Sequence, residues 1–223
     1  MPRKYVLRTA LIIALLAVFV GAGWTGGANY PVDVALTRAA LAWRAQVPQL
    51  TGAVIAVTQL GSFYVTLGGG LLIALGLGVR GHHRRAITIA AAVLGERILV
   101  DGIKLLLDRA RPAFDMHPVA THSASFPSGH AANSMAVFLT VALIAAPARW
   151  RMHAVILALT LSFLIGLSRI YLGVHWPSDV VAGWALGAAV AIVAAQVARS
   201  DELRAAKQEH QIMSGHRPTV DEG

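Results

Sequence analysis

The chain of 223 residues is 56% hydrophobic and 13% charged, and its mean hydropathy is +0.61. A single soluble domain of this length needs a smaller apolar fraction for its core, so the composition excludes an ordinary soluble protein and predicts several membrane spans. The net charge of +8 does not indicate nucleic acid, because the basic residues form no continuous patch and no nucleic-acid-binding motif occurs. The lack of cysteine excludes disulfides, thiol nucleophiles and Cys-ligated metals.

Six apolar segments are long enough to cross about 30 Å of hydrocarbon as helices of about 20 residues. They lie near 7–24, 52–79, 86–106, 128–147, 152–170 and 179–198. The predicted fold is therefore an all-α polytopic membrane bundle of about six transmembrane helices, in a single domain at residues 1–199. The second segment is over-long, which predicts a helix that is tilted or projects into the interface. Residues 200–223 are expected to form a polar, partly disordered cytoplasmic tail.

The first apolar segment has two interpretations. Basic residues precede it and small residues occur at Gly21–Gly23, a pattern also seen in cleaved signal peptides. The charge pattern of the whole chain favours a retained span.

The segment at residues 25–51 joins the first two spans. Its apolar side chains recur at helical spacing, at Leu36, Ala40, Trp43 and Val47. Arg38 and Arg44 lie off this stripe, so we expect a short amphipathic helix at the membrane interface. The helix is expected to cap the bundle; a role in admitting a lipid substrate is the alternative.

The distribution of Lys and Arg predicts the orientation in the membrane. With six spans both termini share one side, which receives Arg3, Lys4, Arg8, Arg80, Arg84, Arg85, Arg149, Arg151, Arg199, Arg204, Lys207 and Arg217. The other side receives only Arg38, Arg44, Lys104, Arg109, Arg111 and Arg169. We therefore expect cytoplasmic termini in the cell (inner) membrane. The loops after the third and fifth spans then face the periplasm or the outside.

The third span carries charges on one helical face. Spacings of four, three, four and three residues separate Arg97, Asp101, Lys104, Asp108 and Arg111. Ionisable groups at membrane depth face the bundle interior or a polar cavity. Arg97 and Asp101 are expected to neutralise each other, whereas Lys104 and Arg111 are spaced to grip an anion before Pro112 ends the helix. Snorkelling of the two cations to the interface is the alternative.

The motif Pro127-Ser128-Gly129-His130 opens the fourth span. Pro suits the first turn of a helix, and Gly lets a ligand approach the backbone closely. The unpaired N–H groups of a first turn bind anions, so this start can hold a phosphate with help from the Ser128 hydroxyl. His130 can donate a proton to a departing oxygen. A plain helix start with an interfacial histidine is the alternative.

The third motif spans the turn between the last two spans. Ser168-Arg169 ends the fifth span, and His175 and Asp179 lie four residues apart across the start of the sixth. A carboxylate in a first helical turn stays ionised and can accept a hydrogen bond from one ring nitrogen of His175. The other nitrogen is then unprotonated, as a nucleophilic or basic histidine requires. A His-Asp pair that only caps a helix is the alternative.

Other polar or small residues are weaker candidates. His117 and His122 lie in the loop between the first two motifs and are expected to be solvated rather than to contact substrate. Gly183 and Gly187 form a small-xxx-small pair, which predicts close packing within the bundle rather than dimerisation.

The patterns Lys-x6-Arg-Pro, Pro-Ser-Gly-His and Ser-Arg-x5-His-x3-Asp, in this order, resemble the type-2 phosphatidic acid phosphatase and haloperoxidase superfamily over roughly residues 50–198. The resemblance implies a phosphatase that needs no metal or cofactor and passes through a phosphohistidine. It implies His175 as the nucleophile, Asp179 as its orienting partner and His130 as the general acid. The residues implied to bind the phosphoryl oxygens are Lys104, Arg111, Arg169, Ser128 and Gly129.

The predicted function is that of an integral membrane lipid phosphatase acting at the outer membrane face. The expected substrate is a phosphomonoester or diphosphate of a lipid: undecaprenyl diphosphate first, or phosphatidic acid or phosphatidylglycerol phosphate. A lipid phosphotransferase using the same phosphohistidine is the alternative. A vanadate-dependent haloperoxidase and an inactive lipid-binding protein are remoter ones. The motifs leave the lipid and the oligomeric state open.

Overall fold

Every regular element over the described residues is a helix, with no strand among them, so the all-α prediction is confirmed. The computed structural model describes residues 3–114, 117–121 and 123–215. The helices are α1 (Arg3–Thr25), α2 (Pro31–Gln46), α3 (Leu50–Gln59), α4 (Phe63–Val79), α5 (His83–Leu107), α6 (Gly129–Ile144), α7 (Arg151–Tyr171) and α8 (Pro177–Gly215).

Within the part of the chain that the structure describes, four stretches are long and apolar enough to cross a membrane: Val6–Thr25, Leu50–Val79, Arg151–Tyr171 and Pro177–Ser200. The protein is therefore a multi-pass membrane protein. Two further helices complete the bundle, and neither meets the same criteria. Helix α5 has the length, but it carries several charges, and α6 is apolar but has only 16 residues. The count of six spans stays a prediction.

The predicted second span is divided rather than simply tilted. Helix α3 ends at Gln59 and α4 begins at Phe63, with a turn between them. The turn lies directly against α7, because a Cβ added to Gly61 would overlap the side chain of Ile165. A side chain here would force Ile165 to shift, so glycine suits the close contact between this turn and α7.

The helix predicted between the first two spans is present as α2, and its interfacial position stays a prediction. Leu36 and Trp43 are about half exposed, as expected for side chains that meet lipid, whereas Asp33 and Thr37 on another face are buried. Helix α2 packs against α7 and α8, and α1 packs against α8. The two N-terminal helices therefore contact the half of the chain that carries the second and third motifs.

Helix α6 lies at the centre of the bundle and packs against α4, α5, α7 and α8. Its contact with α8 is backbone against backbone at two glycines. A Cβ added to Gly183 would lie 2.7 Å from the Ser128 carbonyl oxygen, and one added to Gly187 would lie 2.5 Å from that of Ala132. The small-residue pair thus packs within the bundle, as predicted, and brings the start of α6 against the start of α8.

The region after residue 200 differs from the expected partly disordered tail. Helix α8 continues to Gly215, well past the apolar stretch that ends at Ser200. The residues beyond Ser200 include Ala, Leu, Glu, Lys and Gln, which all have high helix propensity. The end of the chain, at 216–223, lies outside the described residues.

Candidate active site

Four helix ends meet at one end of the bundle. Helices α5 and α7 end there, and α6 and α8 begin there, so the three sequence motifs come together. A cavity of about 170 Å³ lies among them. Six of the eight predicted site residues line it: Lys104, Arg111, Gly129, His130, Arg169 and His175. Ser128 and Asp179, the other two, are fully buried beside it.

His175 sits in the turn between α7 and α8 with one ring nitrogen available to the cavity. Its Nε2 lies 3.1 Å from Arg111 Nη1, and because a guanidinium only donates, Nε2 accepts and carries no proton. The proton is then on Nδ1, 3.5 Å from Asp179 Oδ2 and 3.4 Å from Ser125 Oγ. Burial, reinforced by the charge of Arg111, holds the pKa of His175 well below its usual value. The ring is therefore neutral at pH 7, with an available lone pair on Nε2.

Asp179 is held by several donors at the start of α8. Its Oδ2 accepts hydrogen bonds from the Trp176 N–H at 3.0 Å and from the Ser125 hydroxyl. Its Oδ1 accepts one from Arg109 Nη1 at 2.9 Å. With these partners the carboxylate is fixed in place, and it can accept the Nδ1 proton of His175.

The three cations of the motifs are each anchored by an oxygen atom. Arg111 donates to the Ser123 carbonyl at 2.9 Å and to the Val174 carbonyl at 2.6 Å. Lys104 Nζ donates to the Ala124 carbonyl. Arg169 Nη1 donates to the hydroxyl of Thr58, a buried residue of α3, at 3.0 Å. Anchored cations around a small cavity can bind an anion such as a phosphoryl group.

The start of α6 lies against the start of α8. Ser128 precedes the first helical residue, and its N–H donates to the Asp179 carbonyl at 3.0 Å. Among the described residues, the Ser128 hydroxyl and Arg169 Nε are buried without a hydrogen-bond partner. Buried polar groups are normally paired, so both can serve an anion. His130 lies one residue into α6 and lines the cavity.

The remaining sequence candidates lie around this centre. Arg97 and Asp101 form the expected ion pair, with Nε and Oδ2 2.7 Å apart, and both line the cavity. His117 forms a hydrogen bond to the Pro112 carbonyl at 2.8 Å and is not among the residues that line the cavity. His122 lies outside the described residues.

The sequence alone did not identify Thr58, Ser125 or Arg109 as parts of the site. Thr58 lies in an apolar run that carries no motif, and Ser125 is one of several loop serines. Arg109 had a signal, because it lies inside the first motif, but it falls off the helical face on which Lys104 and Arg111 were placed. All three act through contacts with residues far away in the chain.

A protein-family comparison identifies this arrangement. The model of the PAP2 superfamily matches residues 85–201, which is more than half of the chain and includes all three motifs. The chain belongs to the PAP2 superfamily. This confirms the family resemblance that the three motifs carry.

Two curated relatives are similar over most of the chain, and a third is similar over less than half of it. Phosphatidylglycerophosphatase B of Bacillus subtilis is 29% identical over 163 residues, 70% of this chain and 77% of that protein. Undecaprenyl-diphosphatase of Sulfolobus acidocaldarius is 27% identical over 169 residues, 73% of this chain and 78% of that protein. Lipid A 1-phosphatase of Rhizobium johnstonii is 37% identical over 109 residues, 45% of this chain and 42% of that protein. These relatives are all named as phosphatases, in agreement with the predicted enzyme class.

Solved PAP2 structures share the fold. A transmembrane PAP2-type phosphatidylglycerolphosphate phosphatase from Bacillus subtilis superposes with a TM-score of 0.76 at 27% identity, covering 86% of this chain and 96% of that one. Aquifex aeolicus LpxE superposes with a TM-score of 0.60 at 26% identity, covering 75% of this chain and 97% of that one. The bundle is thus a PAP2 membrane fold.

Proposed function

We propose that this PAP2 protein hydrolyses a phosphomonoester or diphosphate of a membrane lipid through a phosphohistidine formed on His175. The observation that carries the proposal is the state of that ring. Its Nδ1 is directed to Asp179, and its unprotonated Nε2 belongs to a cavity lined by three cations. This arrangement pairs an activated nucleophile with a binding site for the group it attacks.

Binding of the phosphoryl group is assigned to Lys104, Arg111 and Arg169, with the Ser128 hydroxyl and the backbone of Gly129. The buried, unpartnered atoms of Ser128 and Arg169 gain acceptors when a phosphoryl oxygen enters. Arg111 now donates to His175 Nε2 and has to release it before attack. A phosphoryl oxygen can take over that N–H, so substrate binding itself exposes the nucleophile.

The first chemical step transfers the phosphoryl group to the enzyme. His175 Nε2 forms a bond to phosphorus while the bond from phosphorus to the lipid oxygen breaks. His130 gives a proton to that oxygen, and the lipid alcohol or the shortened lipid phosphate leaves. Asp179 stabilises the positive charge that develops on the ring through Nδ1–H, as the orienting carboxylate does in other triads.

The second step releases inorganic phosphate. His130, now unprotonated, takes a proton from a water molecule, which attacks phosphorus as the bond to Nε2 breaks. The cations stabilise the charge on the equatorial oxygens in both steps, and electrostatic positioning of this kind is the main demand of phosphoryl transfer.

The substrate class is supported by the membrane fold and by the relatives. The relatives named above act on phosphatidylglycerol phosphate, undecaprenyl diphosphate and lipid A, which share a phosphate at a membrane surface. We place the polyprenyl diphosphate first, because this compact chain with short loops resembles small bacterial members of the group.

The placement of the site follows from the charge distribution. The side of the bundle opposite the motifs carries the larger share of Lys and Arg, so we assign it to the cytoplasm and the cavity to the periplasm or the outside. Residues 1–199 then form the transmembrane phosphatase domain, and 200–223 form its cytoplasmic extension. Single cysteines test this in the cysteine-free chain. Ala113→Cys should react with a membrane-impermeant maleimide in intact cells and His82→Cys should not; the reverse would contradict the orientation.

The function itself is tested by phosphate release from a lipid panel. Detergent-solubilised protein is given undecaprenyl diphosphate, phosphatidic acid and phosphatidylglycerol phosphate, each with and without EDTA, alongside the His175→Ala variant. We expect release from at least one lipid, unchanged by EDTA and absent in the variant. Activity that survives His175→Ala, or that EDTA abolishes, overturns the mechanism. Repeating the assay with an alcohol as acceptor separates hydrolysis from phosphotransfer.

A further inference from the structure

Arg109 is a largely buried cation at the site with no part in the mechanism above. It lies in the chain between Lys104 and Arg111, but it is not among the residues that line the cavity. Its side chain is 13% exposed and pairs with Asp179 Oδ1, whereas His175 Nδ1 lies nearest to Oδ2.

The guanidinium of Arg109 joins the end of α1 to the start of α8. Its Nη1 donates to Asp179 Oδ1 at 2.9 Å and to the Ser178 hydroxyl at 3.1 Å. Its Nη2 donates to the Ala22 carbonyl at 3.2 Å and to the next carbonyl of α1. The guanidinium carbon also lies 4.4 Å from the centre of the Phe126 ring. A planar fork with this many partners has little freedom to move.

Arg109 also acts on the other oxygen of the same carboxylate. Its backbone carbonyl accepts the Ser125 N–H at 2.8 Å, and the Ser125 hydroxyl donates to Asp179 Oδ2. One residue therefore contacts Oδ1 directly and holds the group that contacts Oδ2. Since Asp179 has no exposed surface, Arg109 is also the cation that balances its charge.

A second contact between the same elements reinforces this geometry. Asp33, buried in α2, accepts the Ser178 N–H at 2.9 Å and the Ser178 hydroxyl, and it accepts the Gly27 N–H at 2.6 Å. The residue next to Asp179 is thus also fixed by the N-terminal helices. In both contacts the N-terminal partner, on α1 or α2, lies outside the stretch that matches the family model.

We propose that Arg109 is a positioning residue that keeps Asp179 ionised and correctly oriented towards His175, and that it uses the carbonyl end of α1 as its support. This inference rests on the proposed function. It gives α1 a role in the site, which favours a retained span over a cleaved leader. The Gly21–Gly23 region that resembles a cleavage site contains both carbonyls that Arg109 binds, those of Ala22 and Gly23.

A double-mutant cycle between Arg109 and Asp179 tests the inference. Arg109→Met, Asp179→Asn and the double variant are compared for kcat and KM on the lipid that the parent hydrolyses. We expect Arg109→Met to lower kcat on the order of 100-fold, because misplaced catalytic groups cost about that much. KM should change less than about threefold, since the phosphate-binding cations are untouched. The double variant should match Asp179→Asn alone, because Arg109 acts through that carboxylate.

The conservative and control variants separate positioning from folding. Arg109→Lys keeps the charge with fewer donors and should recover part of the lost kcat. Arg44→Met is the matched control: Arg44 also joins the N-terminal helices to the site half, through the Leu172 carbonyl at 3.0 Å, but not through Asp179. Its kcat should stay within about twofold of the parent. Thermal unfolding in detergent reports whether each variant is folded.

The outcomes are distinct. Effects of Arg109→Met and Asp179→Asn that multiply in the double variant would show that Arg109 acts independently of the carboxylate, and would overturn the inference. Parental kcat in Arg109→Met would do the same. If Arg109→Met does not fold, the cycle is run with Arg109→Lys under the same criteria, and parental kcat in that variant also overturns it. If the parent is active, His175→Ala is inactive and the Arg109 variant is unaffected, this inference alone is contradicted. If the parent is inactive, both this inference and the proposed function are overturned.

Discussion

The two ends of helix α5 differ in function: one packs in the apolar core, and the other carries a charged residue at the cavity. Near its start, Ile89 and Val93 are buried in an apolar cluster with residues of α4, α6 and α8. Near its end, Lys104 is equally buried but bonded to a loop carbonyl beside the cavity. Fifteen residues, or about 22 Å of helix, separate Ile89 from Lys104. The apolar end holds the helices together so that the polar end can keep several charges buried in a fixed arrangement.

The largest expected effect on activity comes from His175, the proposed nucleophile, which lies at the same cavity as the polar end of α5. His175→Ala should reduce phosphate release to background, because no bond from Nε2 to phosphorus can form. Rapid denaturation of the parent during turnover of radiolabelled lipid should trap an acid-labile phosphoenzyme that the variant lacks. His117→Ala is the control, since His117 bonds only a loop carbonyl and should retain activity. Equal losses in both variants would contradict the assignment.

Removal of one phosphate-binding cation should have the next largest effect. Arg169→Met should lower kcat/KM on the order of 100-fold, because it removes charge stabilisation from the transition state. This loss corresponds to about 3 kcal/mol of transition-state free energy. Steady-state kinetics on the preferred lipid measure this loss. Arg151→Met, at the opposite end of the same helix, should leave kcat/KM near the parental value. A similar loss in both variants would point to damage to α7 rather than to lost phosphate binding.

The anchor of that cation should matter less than the cation itself. Thr58→Val removes the acceptor of Arg169 Nη1. The resulting fall in kcat/KM should correspond to about 1 kcal/mol of transition-state free energy, the typical value of one hydrogen bond. Thr88→Val is the matched control, because the Thr88 hydroxyl bonds only the Arg84 carbonyl within its own helix at 2.9 Å. If Thr58→Val had no effect in the same kinetic assay, α3 would have no part in positioning Arg169.

The pH dependence should show a smaller effect at the polar end. The folded protein holds the pKa of His175 well below 6.5, so the nucleophile stays unprotonated as pH falls through that value. A histidine with the ordinary pKa of about 6.5 would lose half of its free form at that pH. We therefore expect kcat/KM at pH 6.5 to remain above half of its plateau value. The decline on the acid side should be centred below pH 6.5. An acid limb centred at or above pH 6.5 would contradict the neutral buried ring.

The same shift has a consequence for stability with a definite sign. Because the unfolded chain binds a proton at His175 more readily than the folded protein does, the contribution of this residue to stability is present above pH 6.5. It is lost progressively as pH falls below that value. Thermal unfolding of the parent and of His175→Ala over this range gives the difference.

The smallest effect on activity is expected at the apolar end. Ile89→Ala removes a fully buried side chain and should lower the melting temperature by about 5 °C or more, as large core truncations do. The kcat of the folded protein, assayed well below the melting temperature, should remain within about twofold of the parent. A loss of kcat comparable to that of Arg169→Met would show that the two ends of α5 are not separable in this way.

Much of this protein could be predicted from local patterns. The apolar runs favour helices, because a membrane offers no other partners for backbone polar groups, and the amphipathic stripe within residues 25–51 predicts the helix seen as α2. The motif residues were recognisable because each combines a side chain with a helix start or end at short range. That is why His175 and Asp179 could be paired from their spacing alone.

The tertiary structure decided what lies beyond such short-range patterns. The turn between α3 and α4 packs at Gly61 against Ile165 of α7, about a hundred positions further along the chain. The partner of Arg169 is Thr58, and the partners of Arg109 lie on α1 and α8. No periodicity encodes these contacts, because they depend on which helices pack together. The sequence alone thus determined the helices and the side chains proposed to bind, protonate and attack a phosphoryl group. Packing decided which distant residues hold those side chains in place.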